Sequence, residues 1–407
     1  MAGISVDVKP EIINWILHTI QPENVAGSAI ELLHKWKTGE KVPTFNQIKD
    51  MSKKTNVPFG YFFLDKPPVE KCPIVEYRTI DSTMAAEPSR NLVDTVDLMT
   101  DIQEWMVEYA VENGQEELEY VGSVTEETDV RFAADNIRKR LDMDVDWYAH
   151  MQNAGESFRH VKRKMESIHV LVMMSGIVGN NTRRKLSIDE FRAFTLVSKY
   201  APLIFINSCD SDNGKLFSIL HELAHVWVGE NSFYNAPAGV NSGKRKVERF
   251  CNAVAAEILV PSEIFLEKWK SSNDEISDKI EKIAKNFRCS RFVVARKALE
   301  HGKISQEVYE RMVREYTRKF EEWQKEQKEK RESGGSYYRN LASKLDRNFI
   351  LALARSAAEG RTQYAEIYRL TNTNRKTFGK LLEGIGWTLP GCDGYINLAS
   401  GLSGVIL

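Results

Sequence analysis

The stretch FSILHELAHVWVG, residues 217–229, places two histidines four residues apart inside an apolar segment, with a glutamate directly after the first. The small residue Ala224 and the apolar Leu220, Leu223 and Val226 fit an α-helix that packs against a strand and keeps one edge for function. On such a helix His221 and His225 lie one turn apart on nearly the same side, so both imidazoles can reach one point. The segment is therefore either a metal-binding helix or an ordinary core helix that carries two histidines.

A catalytic zinc site uses three protein ligands and leaves a fourth position for water. The candidate for the third ligand is Glu248, in the segment VERFCNAVAAEILVP, which predicts a second helix that ends at Pro261. Asn252 follows one turn later on the same face, where it can fix the Glu248 carboxylate from outside the coordination shell. Glu257 is a competing ligand, but its nine-residue separation places it about 180° round the helix, at about 100° per residue.

The core-helix alternative has a physical cost. It would bring two imidazoles and two carboxylates together in apolar surroundings without partners, and buried polar groups without partners are unfavourable. The sequence therefore favours a metal site at His221, His225 and Glu248. The five cysteines show no pair at zinc-knuckle spacing, so no cysteine-type zinc site is predicted.

Composition predicts a soluble, cytoplasmic, globular protein. The chain has 407 residues, 42% of them hydrophobic, which is enough for a sizeable core and two or three domains. No apolar run approaches the roughly 20 residues needed to span a bilayer. The first residues lack the basic and apolar segments of a secretory signal, and the cysteines are odd in number and scattered. We expect a reducing compartment and no disulfide framework.

Charge is almost balanced, with 56 Lys and Arg against 57 Asp and Glu. The chain as a whole therefore has no excess positive charge that would attract nucleic acid. Residues 1–66 carry eight lysines and seven acids, whereas residues 333–380 carry nine basic residues and three acids. If any part of the chain contacts DNA, the segment 333–380 is therefore the better candidate.

Changes in periodicity divide the chain. We predict a small helical domain over 1–68, a domain over 69–270 that includes short strands and the metal motif, a helical extension with a long charged helix over 271–332, and a basic helical region with a Gly-rich tail over 333–407. Three segments have the pattern of a helix-turn-helix motif, although two helices that simply pack together would give the same pattern. The segments are QIKDMSKKTNVPFGYFFL, KIEKIAKNFRCSRFVVARKAL and YAEIYRLTNTNRKTFGKLLE.

The segment SIDEFRAFTLVSKYAPLIFINSCDSDNGKLFSILHELAHVWVG, followed by ERFCNAVAAEILVP, resembles the ImmA/IrrE family of zinc metallopeptidases. The segment WKTGEKVPTFNQIKDMSKKTNVPFGYFFLDKPP is similar to the N-terminal helix-turn-helix domain of larger members, and the resemblance runs from about Glu11 to Glu383. It implies an α+β, mostly helical fold, in which a zincin-like core with a small sheet is flanked by helical domains. The family's motif falls on His221, Glu222, His225 and Glu248.

The resemblance implies a narrow-specificity zinc endopeptidase that cuts a helix-turn-helix repressor or an antitoxin in a phage, mobile-element or stress circuit; a toxin is a further candidate partner. Glu222 would be its general base, and the strand PLIFIN or a neighbour would offer an edge for the substrate. The alternative is a DNA- or toxin-binding regulator that does not need its zinc site. DNA binding that survives Glu222→Gln and weakens when residues 333–407 are deleted would favour that alternative.

Overall fold

The computed structural model describes residues 4–20, 25–68, 88–234, 246–330 and 343–386. The chain divides into two compact units, residues 1–333 and 334–407. The predicted α+β, mostly helical class is confirmed, since the described residues combine fifteen α-helices with one four-stranded sheet. None of these helices is both long enough and apolar enough to cross a bilayer. The proposed domain boundaries within the first unit stay a prediction.

Helices of the first unit are α1 Pro10–Thr19, α2 Gly27–Lys37, α3 Phe45–Thr55, α4 Arg90–Glu112, α5 Val130–Arg140, α6 Ala154–Ser167, α7 Asp212–Val228, α8 Lys246–Leu259, α9 Ser262–Ser271, α10 Ile276–Phe287, α11 Arg291–Glu300 and α12 Gln306–Lys330. Its strands are β1 Leu171–Ser175, β2 Ala193–Leu196, β3 Leu203–Asn207 and β4 Ser232–Tyr234.

The N-terminal helices have a hydrophobic cluster of their own, which includes Ile12, Leu33, Ile48 and Phe62. A capping box starts α3: the Thr44 hydroxyl accepts from the backbone N–H of Gln47, and the Gln47 side chain accepts from the N–H of Thr44. We predicted a second helix after this one, but Phe59–Phe63 forms only a short 3-10 helix. The N–H groups of Tyr61 and Leu64 bond to carbonyls three residues back, those of Pro58 and Tyr61, which is the spacing of a 3-10 turn.

The sheet has the strand order β1-β3-β2-β4. Strand β1 runs parallel to β3, whereas β2 is antiparallel to both β3 and β4. The segments IHVLVMMSG, FRAFTLVS and PLIFIN each predict a strand, and they contain β1, β2 and β3. The segment GENSFYNAPAGVNSGK predicts a loop, but it contains β4. The segment PLIFIN forms β3, which has a partner on each side and therefore offers no edge. Strand β4, which pairs with β2, is the last strand of the described sheet on that side.

Helix α7 lies at the centre of the part of the chain that contains the sheet. It packs against the strands β2, β3 and β4, against α6, and against α8. The Ser211 hydroxyl caps its start by accepting from the N–H of Gly214. Thirteen of its seventeen residues are buried, which explains the nearly continuous apolar run in the sequence.

The second unit contains the helices α13 Arg347–Ala358, α14 Tyr364–Thr371 and α15 Arg375–Gly384. Asn372 lies in the left-handed region between α14 and α15, and Asn374 caps the start of α15. The same pattern joins α10 to α11 in the first unit, through Arg288 and Ser290. The segment SGGS, residues 333–336, predicts a flexible joint, but it lies outside the described residues, as does the Gly-rich tail from residue 387. DNA binding by any of these helix pairs stays a prediction.

Gly229 ends α7 with a φ of 84°, in the left-handed region. A Cβ at this position would lie 2.9 Å from the Cα of Gly122. We expect Gly229→Ala to lower the free energy of unfolding by about 2 kcal/mol or more, because the backbone strain of roughly 1–2 kcal/mol adds to the steric conflict. Urea unfolding followed by tryptophan fluorescence measures this.

The matched control is Gly302→Ala. Gly302 has a φ of 62°, but a Cβ there meets no described atom within 4 Å. This variant therefore carries the backbone strain alone and should lose about 1 kcal/mol. Equal losses in the two variants would show that the approach of Gly122 does not matter.

Candidate metal centre

Helices α7 and α8 bring the three predicted ligands together. His221 and His225 are almost completely buried on α7, and Glu248 lies in the first turn of α8 with about 20% of its side chain exposed. A carboxylate is favourable in the first turn of a helix, where unpaired N–H groups give a partial positive charge. Buried alanines on both helices, Ala224 and Ala255, suit their close packing.

The ligand atoms converge on one point. The Nε2 atoms of His221 and His225 are 3.2 Å apart. Glu248 Oε2 lies 3.3 Å from Nε2 of His221, and its Oε1 lies 3.4 Å from Nε2 of His225. A tetrahedral zinc site with bonds of about 2.0–2.1 Å separates its ligand atoms by about 3.3 Å. The three side chains therefore fit a zinc ion without rearrangement.

Electrostatics also favour a cation at this point. Burial opposes ionisation of Glu248, but the two imidazoles outweigh it and lower the pKa of the carboxyl well below its usual value. Among the described residues, the Nδ1 atoms of His221 and His225 have no hydrogen-bond partner. Two aromatic nitrogens and an ionised carboxylate that face one point form a donor set typical of zinc.

Glu222 lies beside the cluster and is fully buried. Its Oε2 accepts hydrogen bonds from the hydroxyls of Thr195, at 2.6 Å, and of Ser232. Its Oε1 is buried and has no partner in the described part of the chain. Burial raises the pKa of Glu222 to about 7, although His221 and the two hydroxyls oppose the rise. One oxygen is thus fixed, and the other is left to accept a proton.

Sequence reasoning missed the two hydroxyls that hold Glu222. Thr195 belongs to β2 and Ser232 to β4, and neither residue belongs to a recognisable motif. Tyr234, also on β4, has its ring centroid 4.3 Å from that of His221. Its hydroxyl is buried without a hydrogen-bond partner among the described residues. A prediction of β4 would have placed Ser232 and Tyr234 on one face of the strand, since alternate residues point the same way.

Asn252 and Glu257 lie in different surroundings on α8. The amide group of Asn252 is buried and makes no hydrogen bond with the described residues, so it does not hold Glu248 in this structure. Glu257 is 5% exposed and forms a buried ion pair with Lys297. It also accepts from the backbone N–H and the hydroxyl of Ser262, at 2.9 and 2.7 Å. These bonds occupy Glu257 away from the cluster.

Comparison with known families gives two matches. Residues 177–299 match the family Peptidase_M78, described as an IrrE N-terminal-like domain. Residues 345–384 match a domain of unknown function, DUF8813. The search of curated proteins gave no match. The first match covers a shorter part of the chain than the resemblance noted above, but it includes all of α7, β4 and α8.

The matched stretch therefore carries the whole cluster that the geometry brings together, with His221, His225 and Glu248 at one point and Glu222 beside them. Such a cluster can hold a metal ion. Residues 177–299 are similar to the IrrE N-terminal-like domain of Peptidase_M78, which confirms the resemblance to ImmA/IrrE metallopeptidases over this part of the chain.

Proposed function

We propose that this protein is a zinc-dependent endopeptidase of narrow specificity whose substrate is a DNA-binding repressor or an antitoxin. The observation that carries the proposal is the arrangement around α7: three ligand side chains converge, and a fourth, acidic side chain lies beside them with one carboxylate oxygen unoccupied. The family match supports a peptide bond as the target.

His221, His225 and Glu248 would hold the ion. Zinc at such a site supplies a Lewis acid that polarises the scissile carbonyl and makes a water molecule acidic. Glu222 accepts the proton of that water at Oε1 and delivers it to the leaving amine. The hydroxyls of Thr195 and Ser232 keep the carboxylate in one orientation during both transfers.

Two features of β4 suit an extended substrate. The strand is the last of the described sheet, and its Ser232 and Tyr234 contact Glu222 and His221. A peptide that paired with its outer edge would have its backbone carbonyl groups beside the cluster. The Tyr234 hydroxyl, a buried donor without a described partner, is our candidate for stabilising the negative charge on the carbonyl oxygen.

The parts of the chain outside the matched domain are our reason for proposing narrow specificity. The N-terminal helices form their own hydrophobic cluster, and the second unit matches a separate family. Additional folded parts of this kind suit recognition of one partner better than digestion of unfolded protein. We therefore expect weak hydrolysis of casein. We expect efficient cleavage of one repressor or antitoxin that is encoded by a neighbouring gene.

We expect the purified protein to bind one zinc ion per chain. Replacing Glu248 by alanine should weaken zinc binding by more than about 100-fold, because changes outside the coordination shell already cost 10–100-fold. Peptidase activity should then fall and recover in part when zinc is supplied in excess. Elemental analysis and a competition titration with a chelator measure the affinity.

Glu267→Ala is the matched control for this experiment. Glu267 is an exposed glutamate on α9, outside the cluster, so its replacement should change neither the zinc content nor the activity. Full zinc content in the Glu248→Ala variant would show that the third ligand is another residue.

A further inference from the structure

A second candidate site lies at the opposite end of α7 from Gly229. A cavity of about 650 Å³ opens between the first turns of α6 and α7, the turn between α10 and α11, and one face of α12. This volume is typical of sites for small organic ligands, which measure about 300–1,000 Å³. The cavity lies outside the metal cluster, and no residue of the proposed peptidase mechanism lines it.

The described lining carries more basic than acidic side chains. One acidic side chain, Glu281, lines the cavity together with five basic ones: Arg192, Lys285, Arg288, Arg291 and Lys319. Glu281 lies 3.0 Å from Lys285 and 3.6 Å from Arg291, Lys319 pairs with Glu315 at 2.6 Å, and Arg192 pairs with Asp210. Arg288 has no carboxylate partner among the described residues, so the basic side chains still outnumber the acidic ones. Helix α11 also begins at the cavity wall and adds the partial positive charge of its N-terminus. This environment favours an anion.

Arg192 gives independent evidence for an anionic ligand. It is 5% exposed and lines the cavity, and one of its terminal nitrogens donates to Asp210 at 2.6 Å. Its Nε is buried and has no acceptor among the described residues. A buried donor that lacks an acceptor is costly, whereas an oxygen of a bound anion would satisfy it.

The α12 side of the cavity is aromatic. Phe320 and Trp323 are half-buried, and their rings stack with centroids 5.6 Å apart. The guanidinium of Arg192 lies over the Phe320 ring, 5.2 Å from its centroid. Stacked aromatic side chains of this kind accept a further planar ring, as they do in proteins that bind nucleic-acid bases.

We propose that this cavity binds a nucleotide, with the base against Phe320 and Trp323 and the phosphates among Arg192, Arg288 and Lys319. A planar ring joined to an anionic group matches both halves of the lining. Duplex DNA does not fit, because its major groove is read by a protruding helix or ribbon and not by a concave cavity. The nucleotide would contact Gly214 in the first turn of α7, the helix that carries His221.

Calorimetric titration of the full-length, zinc-loaded protein tests this proposal. The probes are ATP and GTP, with adenosine and inorganic pyrophosphate as the two halves of the ligand. We expect both nucleotides to bind more tightly than either half. Lys319→Glu and Trp323→Ala should each weaken nucleotide binding roughly tenfold or more, because one loses a charge-assisted contact and the other a stacking partner.

Lys325→Glu is the matched control, since Lys325 is an exposed lysine on the same helix and does not line the cavity. It makes the same change of charge and should leave nucleotide binding unchanged. Equal melting temperatures of the three variants establish that they are folded. Three results would overturn the proposal: neither nucleotide binds, pyrophosphate binds as tightly as ATP, or nucleotide binding is the same in Lys319→Glu and Lys325→Glu.

Discussion

Replacing Glu222 by glutamine is expected to reduce peptide hydrolysis by about 100-fold or more, the usual effect of removing a general base. Glutamine keeps the shape of the side chain and can still accept from Thr195 and Ser232 through its amide oxygen. It cannot take a proton from water at neutral pH. The three metal ligands are untouched, so zinc content should stay at the wild-type level.

The melting temperature distinguishes loss of the general base from loss of the fold in the Glu222→Gln variant. The Glu222 carboxylate is fully buried, and its burial raises the pKa to about 7, so a neutral amide at this position carries no desolvation penalty for a charge. The melting temperature should therefore stay the same or rise. Wild-type activity in a folded, zinc-loaded Glu222→Gln variant would exclude Glu222 as the base and revive the alternative of a binding protein.

Replacing Glu257 by glutamine should have the opposite pattern. We expect the free energy of unfolding to fall by about 3–5 kcal/mol, the usual cost of leaving a buried charge without its partner. Lys297 is 4% exposed, and Glu257 is the carboxylate it contacts. Zinc content should not change while the variant is folded. Urea unfolding and elemental analysis measure the two effects.

The double variant Glu257→Gln with Lys297→Met is the control, because it removes both charges and should regain much of the lost stability. Burial alone would raise the pKa of Glu257, but Lys297 and Ser262 outweigh it and lower the pKa. The ion pair therefore contributes above the ordinary carboxyl pKa and is lost as the pH falls through the lowered value. Loss of zinc from Glu257→Gln at unchanged stability would instead identify Glu257 as a ligand.

The different positions of Glu248 and Glu257 follow from the sequence alone. Periodicity placed His221 and His225 on one face of a helix, and the separation of Glu248 from Glu257 placed the two carboxylates on opposite sides of the next helix. Both predictions concern residues within one helix, where about 100° of rotation per residue fixes direction. The sequence therefore determined which side chains could share an ion, and the structure brings those same side chains together.

Only the tertiary structure decided which elements distant in sequence contact each other. Strand β4 has only three residues, too few to show periodicity, and it exists because it pairs with β2. That pairing puts the Ser232 hydroxyl on Glu222. The cationic cavity likewise draws on α6, α7, α10, α11 and α12, whose lining residues span 152 to 323. Packing between elements so far apart in sequence leaves no local pattern, because it depends on how whole faces of helices and strands meet in space.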